Sequence, residues 1–344
     1  MNKCKLNSYD YQLPAELIAQ EPLKQRDQSR MLVLDRHAGK IDHSTFDHFP
    51  DYLKEGDLLV LNDTKVIPAR LIGRIDGKTA TAELLLLNSL DNGNWVAMVK
   101  PGRKLKPGAK VILEHGMEAV IEGYTQEVFR EISFRGPRPI EEVLPHLGKV
   151  PLPPYIHKDV EDPDQYQTIY AREEGSAAAP TAGFHFTDQV FENLKKKGIE
   201  TTFVTLHIGP GTFQPVKTED IRDHDMHSEY YRLDQKTANR LNLAQKESRR
   251  IIAVGTTVCR VLETCADENG LFRGDQEGWS DLFIYPGFNF RVVGALLTNF
   301  HLPQSTLLML VSALGGYDQI MNAYRQAVEM EYRFYSFGDC MLII

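Results

Sequence analysis

Apolar positions along this chain fall in short, dense blocks, and the character of the blocks changes twice. Met31–Leu34 and Lys40–Ile41 read as strands around the turn His37–Gly39, and Thr45–Leu53 is helix-like. Asp57–Leu61 (DLLVL), four apolar residues after an aspartate, reads as a buried strand and is followed by the polar corner Asn62–Lys65.

From Val66 to about Val150 the blocks shorten and alternate: Ala69–Gly73, Ala80–Leu87, Trp95–Val99, Lys110–Leu113, Ala119–Tyr124 and Val128–Phe134. Turn signals such as Asp76-Gly77 and Pro107-Gly108 separate them, and no long helical period intervenes. Six short strands in this pattern predict an inserted antiparallel β-barrel or sandwich. After Pro151–Pro154 helices and strands alternate. Thr187 can cap a helix to Lys197, where lysines meet the negative dipole end and Gly198 stops it. Glu200–Leu206 is a strand, Lys236–Glu247 a helix, and Arg250–Val254 a buried strand that turns at Gly255-Thr256-Thr257 into the helix Val258–Ala266. Arg291–Leu297 is a further strand. Ser305 caps a helix ending at Gly315-Gly316, Tyr317–Glu331 is the last long helix, and Cys340–Ile344 a buried strand. The expected fold is thus α/β, a mixed-sheet or barrel-like domain built from residues 1–65 and 151–344, with a small antiparallel β-barrel inserted at 66–150.

Composition narrows the class. With 344 residues, 42% hydrophobic and 25% charged, the chain has core enough for two domains. No stretch reaches the ~20 apolar residues of a membrane span, and the opening MNKCKLNSYDYQLP has no apolar signal core, so a cytoplasmic location is expected. Cys4, Cys259, Cys265 and Cys340 are scattered, which points to reduced thiols and no structural metal. A net charge of −8 argues against bulk nucleic-acid binding but leaves room for a local basic surface.

Candidate chemistry gathers at corners. His185, His207 and His301 each sit in or just after a tight turn of Gly or Pro at a strand end, where α/β folds place their sites. A neutral imidazole there suits proton transfer, and equally a structural hydrogen bond. The strand–Gly–Thr–Thr–helix corner at Val254–Val258 suits a carboxylate or phosphate, or is simply a helix cap; Arg260 and Glu263 beyond it read as a surface pair. Gly209-Pro210-Gly211 is rejected as a dinucleotide fingerprint, since it lacks a third glycine and its proline has no N–H. His224, His227 and Glu229 cluster, but their spacing matches no standard metal motif; an acid/base role for His227 or Glu229 is the better reading. Lys100, Arg103, Lys104, Lys106 and Lys110, with Lys65, Arg70 and Arg74, concentrate positive charge on the β insertion, either a solvated face or a footprint for a polynucleotide backbone.

Longer segments carry a resemblance. LIAQEPLKQRDQSR at 17–30, LVLNDTKVIPARL at 59–71, VPLPPYI at 150–156 and YQTIYAREEGSAAAPTAGFHFT at 166–187 lead the series. LHIGPGTFQPV at 206–216, HSEYY at 227–231, AVGTTVCRVLE at 253–263, TNFHLPQSTLLMLVSAL at 298–314 and YRFYSFGDCMLII at 332–344 complete it. Together they resemble the S-adenosylmethionine:tRNA ribosyltransferase-isomerases nearly end to end. The resemblance implies a monomeric transferase that uses S-adenosylmethionine as co-substrate, with no tightly bound cofactor and no metal. It would move the ribosyl group onto the aminomethyl of 7-aminomethyl-7-deazaguanine at the wobble position of tRNAs with GUN anticodons (Tyr, His, Asn, Asp). Adenine and methionine leave, and epoxyqueuosine forms. For that chemistry His185, His207, Glu229 and His301 are the candidates for proton transfers, and Thr181, Gly183, Gly209, Gly211, Thr212, Thr256, Thr257, Arg260 and Asn299 the candidates around the cofactor. Lys65, Arg70, Lys100, Arg103, Lys104 and Lys106 would meet the tRNA. A metal-dependent hydrolase using His224, His227 and Glu229, or a non-catalytic RNA-binding protein, are the competing readings.

Overall fold

The computed structural model describes residues 3–125, 129–158, 162–209 and 216–344. The chain divides into two compact units, one of Met1–Thr64, Pro154–Arg172 and Pro180–Ile344, the other of Lys65–Pro153 and Glu173–Ala179. Along the chain, β1 (Arg30–Asp35) and β2 (Lys40–Thr45) precede a 3₁₀ segment at Phe46–Tyr52 and then β3 (Leu58–Asn62). Pro50 lies inside that segment and has no N–H to donate, so the helix expected over Thr45–Leu53 is short and tight rather than α. Next come β4 (Thr64–Val66), β5 (Arg70–Ile75), β6 (Thr81–Ser89), β7 (Trp95–Lys100), β8 (Lys110–Ile112), β9 (Glu118–Tyr124), β10 (Phe129–Arg135), α1 (Ile140–Leu147) and β11 (Glu173–Ser176). The chain returns through α2 (Asp188–Lys196), β12 (Glu200–Leu206), β13 (Glu229–Leu233), α3 (Gln235–Lys246), β14 (Ile251–Val254) and α4 (Thr256–Cys265). It ends with β15 (Gln276–Ser280), β16 (Val293–Asn299), α5 (Thr306–Gly315), α6 (Tyr317–Glu329) and β17 (Cys340–Ile343).

The second unit is a closed six-stranded barrel in the order β10-β7-β6-β5-β8-β9. Its alternate residues Leu71, Leu84, Ala97, Val111, Ile121 and Ile132 are fully buried and fill the interior, and closure removes the exposed sheet edges. Helix α1 was not expected. Its apolar residues Ile140, Val143, Leu144 and Leu147 have helical spacing and pack on the barrel core, but Pro139 and Pro145 disguise the pattern. Glu173–Ala179 also belongs to this unit, because β11 pairs with β4 and Ser176 accepts the Ile67 N–H at 3.1 Å.

The first unit carries a nine-stranded sheet, β15-β13-β12-β3-β14-β16-β17-β1-β2. Strands β12, β3, β14 and β16 run parallel to one another. All five residues of β3, of which only the terminal Asn62 is polar, and all four of the wholly apolar β14 are buried, as strands covered on both faces are. Helices α2 and α5 start at the expected caps, while α3 and α4 start one and two residues before the expected Lys236 and Val258. Thr187 accepts the Val190 N–H at the head of α2, Asp234 the Thr237 N–H at α3, and Ser305 the Leu308 N–H at α5. Parallel neighbouring strands put their carboxyl ends on one rim, where α/β folds place their ligand sites.

Candidate active site

Four adjacent corners form that rim: Asn62–Thr64 after β3, His207 after β12, Gly255–Thr257 after β14 and Asn299–His301 after β16. Side chains link one corner to the next. Thr64 Oγ1 lies 2.8 Å from His207 Nδ1, and Asn62 accepts the Leu206 N–H at 3.0 Å while its Nδ2 approaches Thr257 Oγ1 at 3.5 Å. Gly255 has φ +91°, a conformation that lets β14 enter α4 abruptly, and a Cβ there would touch Ala182 of the 3₁₀ turn Thr181–His185. That turn reaches β16: Thr181 donates to Asn299 Oδ1 at 3.2 Å. With strands ~4.8 Å apart, the wall from His207 to Asn299 spans three spacings, or ~14 Å.

Asn299 fixes the state of His185. Its Nδ2 donates to the Tyr335 carbonyl at 3.1 Å, which sets the amide orientation, and lies 3.3 Å from His185 Nε2. An N–H aimed at Nε2 makes that nitrogen the acceptor, so Nδ1 carries the proton toward Ser29 Oγ at 2.7 Å, and Ser29 donates on to the Arg26 carbonyl at 3.2 Å. Burial lowers the His185 pKa from 6.5 to about 3. Both ring nitrogens of His185 are thus engaged, and the imidazole is neutral. His301 is likewise buried and lowered to about 3 by desolvation, with Nε2 2.9 Å from Thr298 Oγ1. Its backbone N–H donates to Tyr324 Oη at 3.0 Å, a second anchor. His207 differs: it is half-buried and stacks on Tyr230 with centroids 5.5 Å apart.

Glu229 and Arg260 have a structural use that the sequence reading missed. They form a buried ion pair; Arg260 also donates to the carbonyls of Leu282 at 3.1 Å and Ser280 at 3.0 Å, and Glu229 accepts the Gly209 N–H at 3.0 Å. Arg260 and Glu263 are not a surface pair. Glu263 is buried and accepts the N–H groups of Arg291, Val292 and Val293 at 2.8, 3.2 and 3.0 Å, pinning the entry to β16. Among the described residues no group of three His, Cys, Asp or Glu could hold a metal ion. His224 packs edge-on against Phe283, and Glu229 is committed to Arg260, so the three do not form a ligand set.

Gly183 is needed for space, because a Cβ there would overlap the Tyr170 hydroxyl and Thr168. Thr256 is buried at the first position of α4, beside the half-buried Thr257, where N–H groups lack intrahelical partners. Gly211 and Thr212 lie outside the described residues. Sequence reasoning also missed Asp63, buried at the β3 corner, which accepts from Thr205 Oγ1 at 2.8 Å and Arg172 at 2.7 Å; the polar run Asn62–Lys65 was its only signal.

On the barrel the basic residues divide in two. Lys65 pairs with Glu174 at 2.9 Å and Arg70 with Glu83 at 3.0 Å, so their charge is already matched. Lys100, Arg103, Lys104 and Lys106 are exposed around the turn between β7 and β8. Arg130 props that turn from below, donating to the Leu105 carbonyl at 3.1 Å while its guanidinium lies 4.1 Å from the Tyr124 ring centre.

A side-chain wall across the carboxyl ends of parallel strands is the arrangement of a ligand-binding α/β enzyme. The chain belongs to the queuosine biosynthesis protein family, whose profile matches residues 6–343. An S-adenosylmethionine:tRNA ribosyltransferase-isomerase of Acetivibrio thermocellus is 50% identical, covering 98% of this chain and 99% of its own. One from Symbiobacterium thermophilum is 51% identical over 99% of this chain and 100% of its own. The crystal structure of an S-adenosylmethionine tRNA ribosyltransferase from Thermotoga maritima is 39% identical, with a TM-score of 0.56, covering 98% of this chain and 100% of that one.

Proposed function

We propose that this chain transfers and isomerises the ribosyl group of S-adenosylmethionine onto 7-aminomethyl-7-deazaguanine at the wobble position of tRNA, giving epoxyqueuosine-tRNA, adenine and methionine. The observation that carries this reading is the likeness to relatives of that name over 98–99% of the chain at 50–51% identity. The tRNAs are those with GUN anticodons, the enzyme acts as a monomer in the cytoplasm, and no tightly bound cofactor takes part. Among the described residues no helix is long and apolar enough to cross a membrane.

The chemistry asks for loss of a C5′ proton made acidic by the neighbouring sulfonium, attack by a neutral amine, and departure of adenine. We assign the proton transfer to His207, the half-buried member of the four candidates, oriented through Nδ1 by Thr64. Thr181, Thr256 and Thr257 bind the co-substrate along the rim, and Asn299 holds Thr181 in place there. His185, His301, Glu229 and Arg260 position those corners without touching it. Dry, preorganised dipoles of this kind need no reorganisation when charge develops. Incubating the protein with S-adenosylmethionine and tRNA bearing the aminomethyl base should release adenine and methionine in equal amounts, and neither with unmodified tRNA. Release that requires added zinc, or tRNA binding with no release at all, would contradict the proposal.

A further inference from the structure

Trp279 is 57% exposed, although it lies on a β-strand directly opposite Tyr230. The two rings meet edge to face at 5.9 Å, and Tyr230 in turn stacks on His207 at 5.5 Å with planes 20° apart. Strand pairing fixes this row. The His207 N–H donates to the Tyr230 carbonyl at 2.9 Å, and Tyr230 and Trp279 are register partners in the β13–β15 ladder. Residues alternate across a strand, so Glu229 points to α4 and Tyr230 to the opposite face. Arg260, through the Ser280 carbonyl, and Tyr230, through Glu277 at 2.9 Å, hold β15 in place. Three aromatic rings thus run from the outer edge of the sheet to the proposed proton-transfer residue.

We infer that this row is a stacking platform for an unpaired base of the RNA loop that presents the reacting nucleotide, with Trp279 as its outer step. The inference rests on the function proposed above and adds a subsite to it. A small co-substrate is a poor occupant, because such ligands are mostly enclosed, whereas Trp279 stands open on an edge strand. A loop of single-stranded RNA approaches from outside, and its bases offer π-faces that stack on aromatic side chains irrespective of sequence. The row is continuous with the rim, so a base stacked on Trp279 belongs to the same loop as the one reaching His207.

The chain has two tryptophans, and Trp95 lies in the barrel core, so Trp95→Phe leaves Trp279 as the reporter. Titrating that variant with an anticodon stem-loop should quench its fluorescence saturably, while S-adenosylmethionine alone should not. Trp279→Ala should raise KM for tRNA about ten-fold or more, with kcat and the affinity for S-adenosylmethionine unchanged, and Trp279→Phe should recover most of the loss. An unchanged KM for tRNA, a weakened affinity for S-adenosylmethionine instead, or a dimer in the wild type that Trp279→Ala dissociates would overturn the platform. None of these touches the proposed activity, which is tested separately by adenine release from modified tRNA in the wild type.

Discussion

The rim of the sheet and the basic turn of the barrel are both polar, but they are polar in opposite ways. Along the rim His185, His301 and Asn299 are buried, and the imidazoles are neutral, with their hydrogen bonds assigned to fixed partners. On the barrel turn, Lys100, Arg103, Lys104 and Lys106 are exposed and charged. The first arrangement suits chemistry, because dipoles are strong where water is excluded. The second suits recognition of a phosphate backbone by charge, at a cost in salt sensitivity. Changes on the rim should therefore cost turnover and stability together, and changes on the turn only RNA affinity.

The sharpest break is Asn299→Ala, which strips partners from Thr181, His185 and the Tyr335 carbonyl. Adenine release should fall at least about a hundred-fold from misplaced groups, and denaturant melts should show a loss of about 2–4 kcal/mol from unsatisfied buried partners. Glu229→Gln comes next. It leaves the Arg260 charge buried without its counter-ion and should cost about 3–5 kcal/mol in the same melts.

Acid should then find the rim before the barrel. His185 and His301 titrate near 3 when folded but near 6.5 when unfolded, so the unfolded chain takes up protons first. Their contribution is fully present above pH 6.5 and is lost between 6.5 and 3. Melting temperature followed over that window should fall less steeply in a His185→Gln, His301→Gln variant; an identical slope would show that neither ring is buried neutral. Replacing Lys100, Arg103, Lys104 and Lys106 by Ala should weaken tRNA binding and reduce the slope of log affinity against log salt by about 3, leaving co-substrate affinity intact. Smallest of all is Lys65→Ala. Its exposed pair with Glu174 should be worth below about 0.5 kcal/mol, and tRNA affinity should barely move.

Much of this was legible because local sequence and tertiary context agree. β14 is apolar from end to end and β3 up to its terminal Asn62, so both read as central, and Thr187 and Ser305 mark helix starts by their own chemistry. The corners stood out by composition. What one sequence does not carry is the long-range partner. Nothing in the spacing of Arg260 and Glu263 says that the first pairs with Glu229 and the second caps the residues before β16. Nor does it separate a histidine lodged between Ser29 and Asn299 from one half-buried beside Tyr230. Strands β13 and β15, rich in charged and polar residues, join the sheet only through neighbours distant in sequence.

The most direct test follows loss of deuterium from C5′-labelled S-adenosylmethionine in the presence of modified tRNA. Wild-type protein should wash the label out, and His207→Ala, binding the co-substrate as tightly, should do so about 10²–10⁴ times more slowly. Washout at the wild-type rate by His207→Ala would contradict the assignment of proton transfer to this rim.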